Sequence, residues 1–243
     1  MNKIAVVIPS FNSIRWLNKL IKQVLSKMPK ANIIVVDDDS PDKTAESVQK
    51  KFGSISRVKL IVRRNKGGRG TAVLEGFRQA LRDKKNQYFV EMDSDLAHDP
   101  KDIPKLVKQC QYTDVVIGSK YVKGSSIVGQ EKRRQIFSQL ANIFLKLILG
   151  IPINDYTNGF RCYTRNAIKK LLSHKMTSKG FIVLSEGAYF LHQQGFTFSE
   201  VPVTVTYFIN KKSSFNLKEV TEALLTTIQL LLTTSSSGKG KIN

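Results

Sequence analysis

The sequence predicts an α/β fold, with a mainly parallel central sheet flanked by helices and a ligand site at the carboxyl ends of its strands. Three observations carry this reading. Short β-branched runs alternate with helical stripes through the first half of the chain. The helices between them are about 10–15 residues long, as connections between parallel strands must be. Two acidic clusters each stand directly behind a hydrophobic run, at the edge where open α/β sheets bind ligands.

Taken in order, residues 3–9 (KIAVVIP) form a compact strand. Apolar residues then fall at 14, 17, 20, 21, 24, 25 and 28, the stripe of an amphipathic helix. Residues 32–36 (NIIVV) make a second strand that runs straight into Asp37, Asp38 and Asp39. Ser40 and Asp42 supply turn and N-cap chemistry for a helix ending near Phe52. A third strand at 58–62 leads through a glycine turn at 65–70 to a helix over 71–83. The fourth strand, 87–92, ends at Asp93; a helix over 102–111 and a strand over 114–119 follow.

The second half is less regular. Residues 134–149 form an amphipathic helix in which Ile136, Phe137, Leu140, Ile143, Phe144, Leu147 and Ile148 share a broad apolar face. Its start is basic, at Lys132, Arg133 and Arg134. One or two further strands lie within 196–207, and a final helix covers 218–234. With no internal repeat or linker, 1–234 reads as one domain and 235–243 as a disordered basic tail.

The 243 residues are 41% hydrophobic and 24% charged, ample material for a core. Cys110 and Cys162 are too few for a disulfide framework and lack metal-ligand spacing, so a reduced, cytoplasmic setting is expected. The first apolar run is too short for a signal peptide. No stretch reaches the roughly 18–20 uninterrupted apolar residues of a spanning helix, which predicts a soluble or peripheral protein. Lys and Arg outnumber Asp and Glu by 39 to 19, for a net charge of +20. Such a field attracts nucleic acid, anionic headgroups or phosphorylated small molecules alike.

The chemistry points to the acidic clusters. Asp93 and Asp95 are two residues apart, so one turn leaving the sheet can aim both at a single site. Paired carboxylates with an open shell suit Mg²⁺ or Mn²⁺, which commonly bridge to a substrate's phosphates. Asp-x-Asp is most often a solvated turn; what favours a metal here is the gathering of acids at strand ends in a strongly basic chain. A diphosphate fits, because the metal neutralises the charge that builds as it leaves. Residues 65–71 (NKGGRGT) could present backbone N–H groups to an anion. They match neither the P-loop nor Gly-x-Gly-x-x-Gly, and a tight strand-to-helix turn explains them more simply. His98, His174 and His192 are scattered, and no Ser-His-Asp or Cys-His arrangement is present.

Six segments recur together elsewhere: IPSFN at 8–12, VVDDDSPDKT at 35–44, NKGGRGTA at 65–72, MDSDLAHDP at 92–100, GSKYVKGS at 118–125 and DYTNGFRCY at 155–163. In this order and spacing they resemble the family 2 glycosyltransferases, and within them the dolichyl-phosphate mannosyltransferases and related polyprenyl-phosphate sugar transferases. The resemblance spans roughly residues 3–215. It implies a GT-A fold, a nucleotide-diphospho-sugar donor, Mg²⁺ or Mn²⁺, and inversion at the sugar carbon. It places Pro9, Phe11 and Asp38 around the nucleobase and ribose, and Asp93 and Asp95 on the metal, diphosphate and sugar. Lys120 stands at a phosphate-contacting position, Arg134 and Ser138 at the acceptor phosphate, and Asp155 and Arg161 in the catalytic pocket.

The acceptor implied is a polyprenyl phosphate. It is already ionised near neutral pH and needs positioning and cationic stabilisation in place of a general base. The basic start of the 134–149 helix would hold its phosphate, while the apolar face meets the lipid chain at the membrane surface; the same face would serve equally for packing on the sheet. The expected enzyme thus moves a hexose, mannose first, and sits peripherally on the cytoplasmic face of a membrane, where a small membrane subunit anchors some relatives. The chain departs from the resembled pattern at Ser13 (commonly Glu), Ala97 (often a metal-contacting Gln), Phe208 and Ser214 (an Arg and a Lys), with Lys211 and Lys212 close by. Two alternatives stand beside this reading. One is a saccharide-hydroxyl acceptor with Asp155 or Glu186 as base; the other is a degenerate module that only binds a nucleotide-sugar or nucleic acid. Nucleic acid ranks last, for want of aromatic-and-basic interleaving.

Overall fold

A computed structural model describes residues 3–64, 67–177 and 182–208. The expected 218–234 helix and the tail lie outside them, as do Lys211, Lys212 and Ser214. Strands β1 (Lys3–Ser10), β2 (Asn32–Asp37), β3 (Val58–Val62) and β4 (Asn86–Glu91) run parallel, connected by helices α1 (Ile14–Lys27), α2 (Thr44–Phe52) and α3 (Gly68–Leu81). A 3-10 turn (Pro100–Asp102), α4 (Ile103–Gln109) and β5 (Val115–Ser119) follow. The chain continues through β6 (Ser126–Val128), α5 (Lys132–Leu149), β7 (Arg161–Thr164), α6 (Arg165–Ser173), α7 (Ile182–Gln193), β8 (Phe198–Pro202) and β9 (Thr204–Thr206). The main sheet has the order β3-β2-β1-β4-β7-β5-β8, and β6 and β9 pair separately.

The hydrophobic runs become central strands because helices cover both faces of the sheet. Residues of β1 alternate between two cores. Val6 and Ile8 join Leu17, Leu20, Ile21 and Val24 of α1 on one side. Ala5 and Val7 join Val73, Phe77 and Ala80 of α3 on the other. Close approach of α3 depends on Gly76, where a Cβ would collide with the Val7 side chain. Gly76→Ala is therefore expected to cost about 1–3 kcal/mol by overpacking, read as a lower midpoint in urea unfolding.

The expected strands and helices of the first half form within a few residues of their predicted bounds. The largest shift is at α3, which begins at Gly68 and not at Thr71. Its first turn is extended backwards because Asp38 accepts from Gly68 N–H (3.0 Å) and Arg63 donates to the Gly68 carbonyl (3.1 Å). The second half holds what the sequence reading did not name: β6, β7, α6 and α7. Strand β7 runs antiparallel to both β4 and β5. It inserts a reversed strand into an otherwise parallel sheet.

The broad apolar face expected of α5 is split. Asn142, Leu145 and Leu149 are buried, with Leu145 and Leu149 packed on Ile117, Ile151 and Tyr156. Ile136, Leu140, Ile143 and Leu147 are exposed, Leu147 by 79%. The helix meets the body along a polar-centred seam, so four of the seven named apolar residues face outward.

Candidate active site

The strand order sets β2 and β4 on either side of β1, so the acidic residues behind both strands share one edge. Asp37 is buried and accepts from Ser40 N–H (2.8 Å) and the Ser40 hydroxyl (2.7 Å). That closes the turn beneath the rim. Asp38 is held by Arg63 Nε (2.6 Å) and by the start of α3. Pro9 is buried in β1, while Phe11 behind it exposes its ring. At Ser13, where the resembled pattern commonly has Glu, the hydroxyl bonds the Ser94 hydroxyl (2.7 Å), tying α1's entry to the Asp-Ser-Asp turn.

Asp93 and Asp95 project from the turn after β4. Asp95 Oδ1 accepts from Ala97 N–H (3.0 Å) across Leu96, whose φ is +63°. Asp93 Oδ1 accepts from Arg69 Nε at 2.8 Å. Arg69 also faces Glu91 (3.5 Å) and donates to the Gly159 carbonyl (3.3 Å). Burial raises the Glu91 carboxyl above its usual range, against the pull of Arg69 and Arg161. His98 is buried and stacked on Phe160, and its Nε2 contacts Asn158 Oδ1 at 2.7 Å. Asn158 Oδ1 can only accept, which puts the proton on Nε2. Nδ1 is then free to accept the long bond from Asp93 N–H (3.5 Å).

On the other side of β4 lies a buried charged node. Asp155 is fully buried and accepts from Lys120 N–H and Nζ (both 3.2 Å), Asn158 N–H (3.0 Å), and Thr157 N–H (3.3 Å) and hydroxyl (3.2 Å). Lys120, expected at a phosphate, spends its ammonium on this pair and on the Thr157 hydroxyl (3.4 Å). Arg161 is buried too, and its guanidinium donates to the carbonyls of Asn158 (2.9 Å), Leu184 (2.8 Å) and Tyr156 (2.7 Å). It shapes the 155–160 segment from behind. Glu186 accepts from His174 Nε2 (3.0 Å) and from Thr177 N–H and hydroxyl (both 2.9 Å), fixing the end of the α6 loop.

Helix α5 closes this side. Asn142 donates to Thr157 (3.4 Å) and accepts from Tyr156 N–H (2.6 Å). The Tyr121 hydroxyl donates to the Ser138 hydroxyl (2.7 Å); burial pushes this phenol up to about 12, and the charge of Asp155 adds to the shift. Arg134 lies one turn before Ser138, 43% exposed, near Glu131 at 3.9 Å. Tyr207 joins the two sides: burial raises its phenol, and the charges of Tyr121, Asp155, Asp93 and Asp95 all act on it. The Asp93–Asp95 turn and the 155–160 segment are neighbours, joined by the His98–Asn158 and Arg69–Gly159 contacts.

The model of the family described as Glycosyl transferase family 2 matches residues 5–172. This chain is a family 2 glycosyltransferase. It is 33% identical over 219 residues to the polyprenol monophosphomannose synthase of Mycolicibacterium smegmatis, covering 88% of this chain and 82% of the relative. It is 29% identical over 202 residues to the undecaprenyl-phosphate mannosyltransferase of Micrococcus luteus, covering 83% of each. Among solved structures, glucosyl-3-phosphoglycerate synthase of Mycobacterium tuberculosis superposes with a TM-score of 0.65 at 17% identity, over 96% of this chain and 79% of that one. That match shows a shared GT-A fold. The neighbour has been seen with UDP-glucose, phosphoglyceric acid and Mn²⁺, and with UDP and Mg²⁺.

In this glycosyltransferase, no group of three or more His, Cys, Asp or Glu among the described residues is arranged to hold a metal ion. Two carboxylates still fit the role, because such ions take one or two protein carboxylates and complete their shell with phosphates and water. A cation already stands at Asp93: the Arg69 guanidinium. Arg69, His98, Asn142, Asn158 and Tyr207 are neighbours of the cleft that the sequence reading did not assign. Arg69 had a legible signal, as a cation between two glycines at a helix start beside two acidic turns. Asn142 and Tyr207 had none.

Proposed function

We propose that this family 2 glycosyltransferase moves mannose from GDP-mannose to a polyprenyl phosphate at a membrane surface, with inversion at the sugar carbon. The observation that carries the reading is that, among the described residues, the two acids considered as bases are engaged by several donors, beside a helix with a basic start and an exposed apolar face. Asp155 accepts from Lys120, Thr157 and Asn158, and Glu186 Oε1 accepts from His174 and Thr177. A phosphate acceptor needs no base, since its oxygen attacks already ionised. The relatives that share most of this chain carry names with the same acceptor and sugar.

In this reading Asp38, Pro9 and Phe11 border the nucleoside, and Asp93 and Asp95 hold a divalent metal on the diphosphate. The metal would neutralise charge on the departing nucleotide. Ser138 and Arg134 face the incoming phosphate, while Lys120, Asp155 and Arg161 keep the 155–161 segment in place beneath it. The exposed residues Ile136, Leu140, Ile143 and Leu147 fall within one face of α5, and Lys132 and Arg133 precede them. Such a face lies in the headgroup boundary with its cations among anionic lipids. No helix among the described residues is long and apolar enough to cross a membrane. We place the enzyme on the cytoplasmic leaflet; a small anchoring subunit is compatible with the exposed face.

The test is transfer of radiolabelled mannose to undecaprenyl or dolichyl phosphate with Mn²⁺, followed by solvent partition. Label in the organic phase is the expected result. Label that stays in water with a saccharide acceptor, or no transfer from any common donor, overturns the assignment. Arg134→Ala should raise the KM for the lipid phosphate by about tenfold or more, the loss of one charge-assisted contact, with the KM for GDP-mannose nearly unchanged. Equal changes in both constants would make Arg134 a structural residue.

A further inference from the structure

We infer that Arg69 makes metal binding at Asp93 depend on the nucleotide: it occupies the carboxylate when the site is empty and turns to the diphosphate when the donor arrives. The inference rests on the reading of Asp93 and Asp95 as the metal-binding pair.

The geometry supports it in three ways. Arg69 Nε reaches Asp93 Oδ1 at 2.8 Å, on an oxygen that a metal would need. Its other contacts, to Glu91 and the Gly159 carbonyl, are long, at 3.5 and 3.3 Å. Asp93 thus takes the short hydrogen bond, while Glu91 acts as a looser tether. Beside the guanidinium is a cavity lined by Val73, Leu74, Phe77 and Leu171 together with Glu91 and Tyr163, which leaves the side chain room to move while Glu91 tethers it. Movement towards the rim would take it to where the diphosphate would lie.

A fixed cation at this distance from Asp93 repels a second one in a partly dry site. Free Mn²⁺ must therefore displace it or share the carboxylate. A diphosphate changes the balance, because a planar guanidinium pairs better with phosphate oxygens than with one shared carboxylate oxygen. Glu91 does not become unpaired in the exchange, since the Tyr163 hydroxyl donates to it at 2.9 Å and Arg161 also stabilises its charge. Metal and nucleotide would then bind with positive coupling, each favouring the other by the same factor.

The experiment is titration of Mn²⁺, followed by its EPR signal, into wild type, Arg69→Gln and Arg69→Lys, with and without GDP. Arg69→Gln could unfold by leaving Glu91 buried beside a neutral residue, so the Arg69→Gln/Glu91→Gln double variant is measured alongside. We expect the neutral variants to bind Mn²⁺ alone on the order of tenfold more tightly than wild type, to bind GDP alone more weakly, and to lose most of the coupling. Arg69→Lys should keep the wild-type order. Unchanged Mn²⁺ affinity in both neutral variants, with GDP-dependent Mn²⁺ binding intact in wild type, overturns the role of Arg69 while leaving the metal site standing. No Mn²⁺ binding by wild type even with GDP overturns the metal site itself, and the inference with it.

Discussion

Asp95→Ala is expected to abolish Mn²⁺-dependent binding of GDP-mannose and to lower kcat/KM on the order of a thousandfold, with no loss of fold. The two halves of this expectation have separate causes. Catalytically, Asp95 is one of the two carboxylates of the proposed metal site, and its removal would leave Asp93 to hold a divalent ion alone. Structurally, it lies outside the packed strands, and the bond it accepts from Ala97 N–H is local to its own turn. Turn residues of this kind change stability by about 0.5 kcal/mol or less. Calorimetric titration with and without Mn²⁺ gives the first half, and a thermal melt the second. Unchanged donor affinity would remove Asp95 from the metal site; a large drop in melting temperature would make it a fold determinant.

Lys120→Met is expected to do the reverse, damaging the fold before any chemistry is reached. Lys120 and Asp155 are buried, with side chains 5% and 0% exposed. Taking two charges out of water costs several kcal/mol each, and here the pair is compensated by mutual contact and by the Thr157 and Asn158 donors. Removing the cation leaves a buried carboxylate without its counter-charge, at a cost of about 3–5 kcal/mol. For a domain of this size that corresponds to a fall of roughly 10 °C in melting temperature. Lys120→Met/Asp155→Asn should recover much of the loss, because it removes both charges and keeps an acceptor for Asn158. If the single variant melts like wild type, the pair is not the keystone of this segment, and Lys120 is available for the phosphate contact that the sequence suggested.

The contrast between those two residues shows what the sequence could reveal. Asp93 and Asp95 were legible because their chemistry depends on a local fact, two carboxylates behind one strand. The first four strands were legible for a similar reason, since their apolar runs are continuous and their helices carry clear stripes. Lys120 and Asp155 are 35 residues apart, and only the placing of β5 beside β7 brings them together. A motif can mark both positions without saying that each satisfies the other. Strand β7 was missed because four residues opened by a buried Arg do not look like a strand interior. Helix α7 was missed because it is apolar nearly all round, as a buried helix is. In α5 the seven named apolar positions do not form the buried side, which is made by Asn142, Leu145 and Leu149. Hydrophobicity alone cannot tell an outward apolar stripe from an inward one when the seam is held by an amide.

The reversed direction of β7 has a consequence for how such a protein can diversify. A parallel strand presents to this rim the loop that follows it, whereas a strand running the other way presents the loop that precedes it. Asp93 and Asp95 therefore hang from the exit of β4, and the 155–160 segment hangs from the entrance of β7, its direct neighbour. The two loops touch in space but are tethered at opposite ends of their strands and separated by a long stretch of chain. Insertions between β5 and β7 can lengthen, tilt or replace the acceptor-side helix without altering the spacing of any residue that meets the nucleotide. Under the proposed assignment the architecture would behave like a socket with an interchangeable collar: one half keeps the donor, and the other is free to change the recipient.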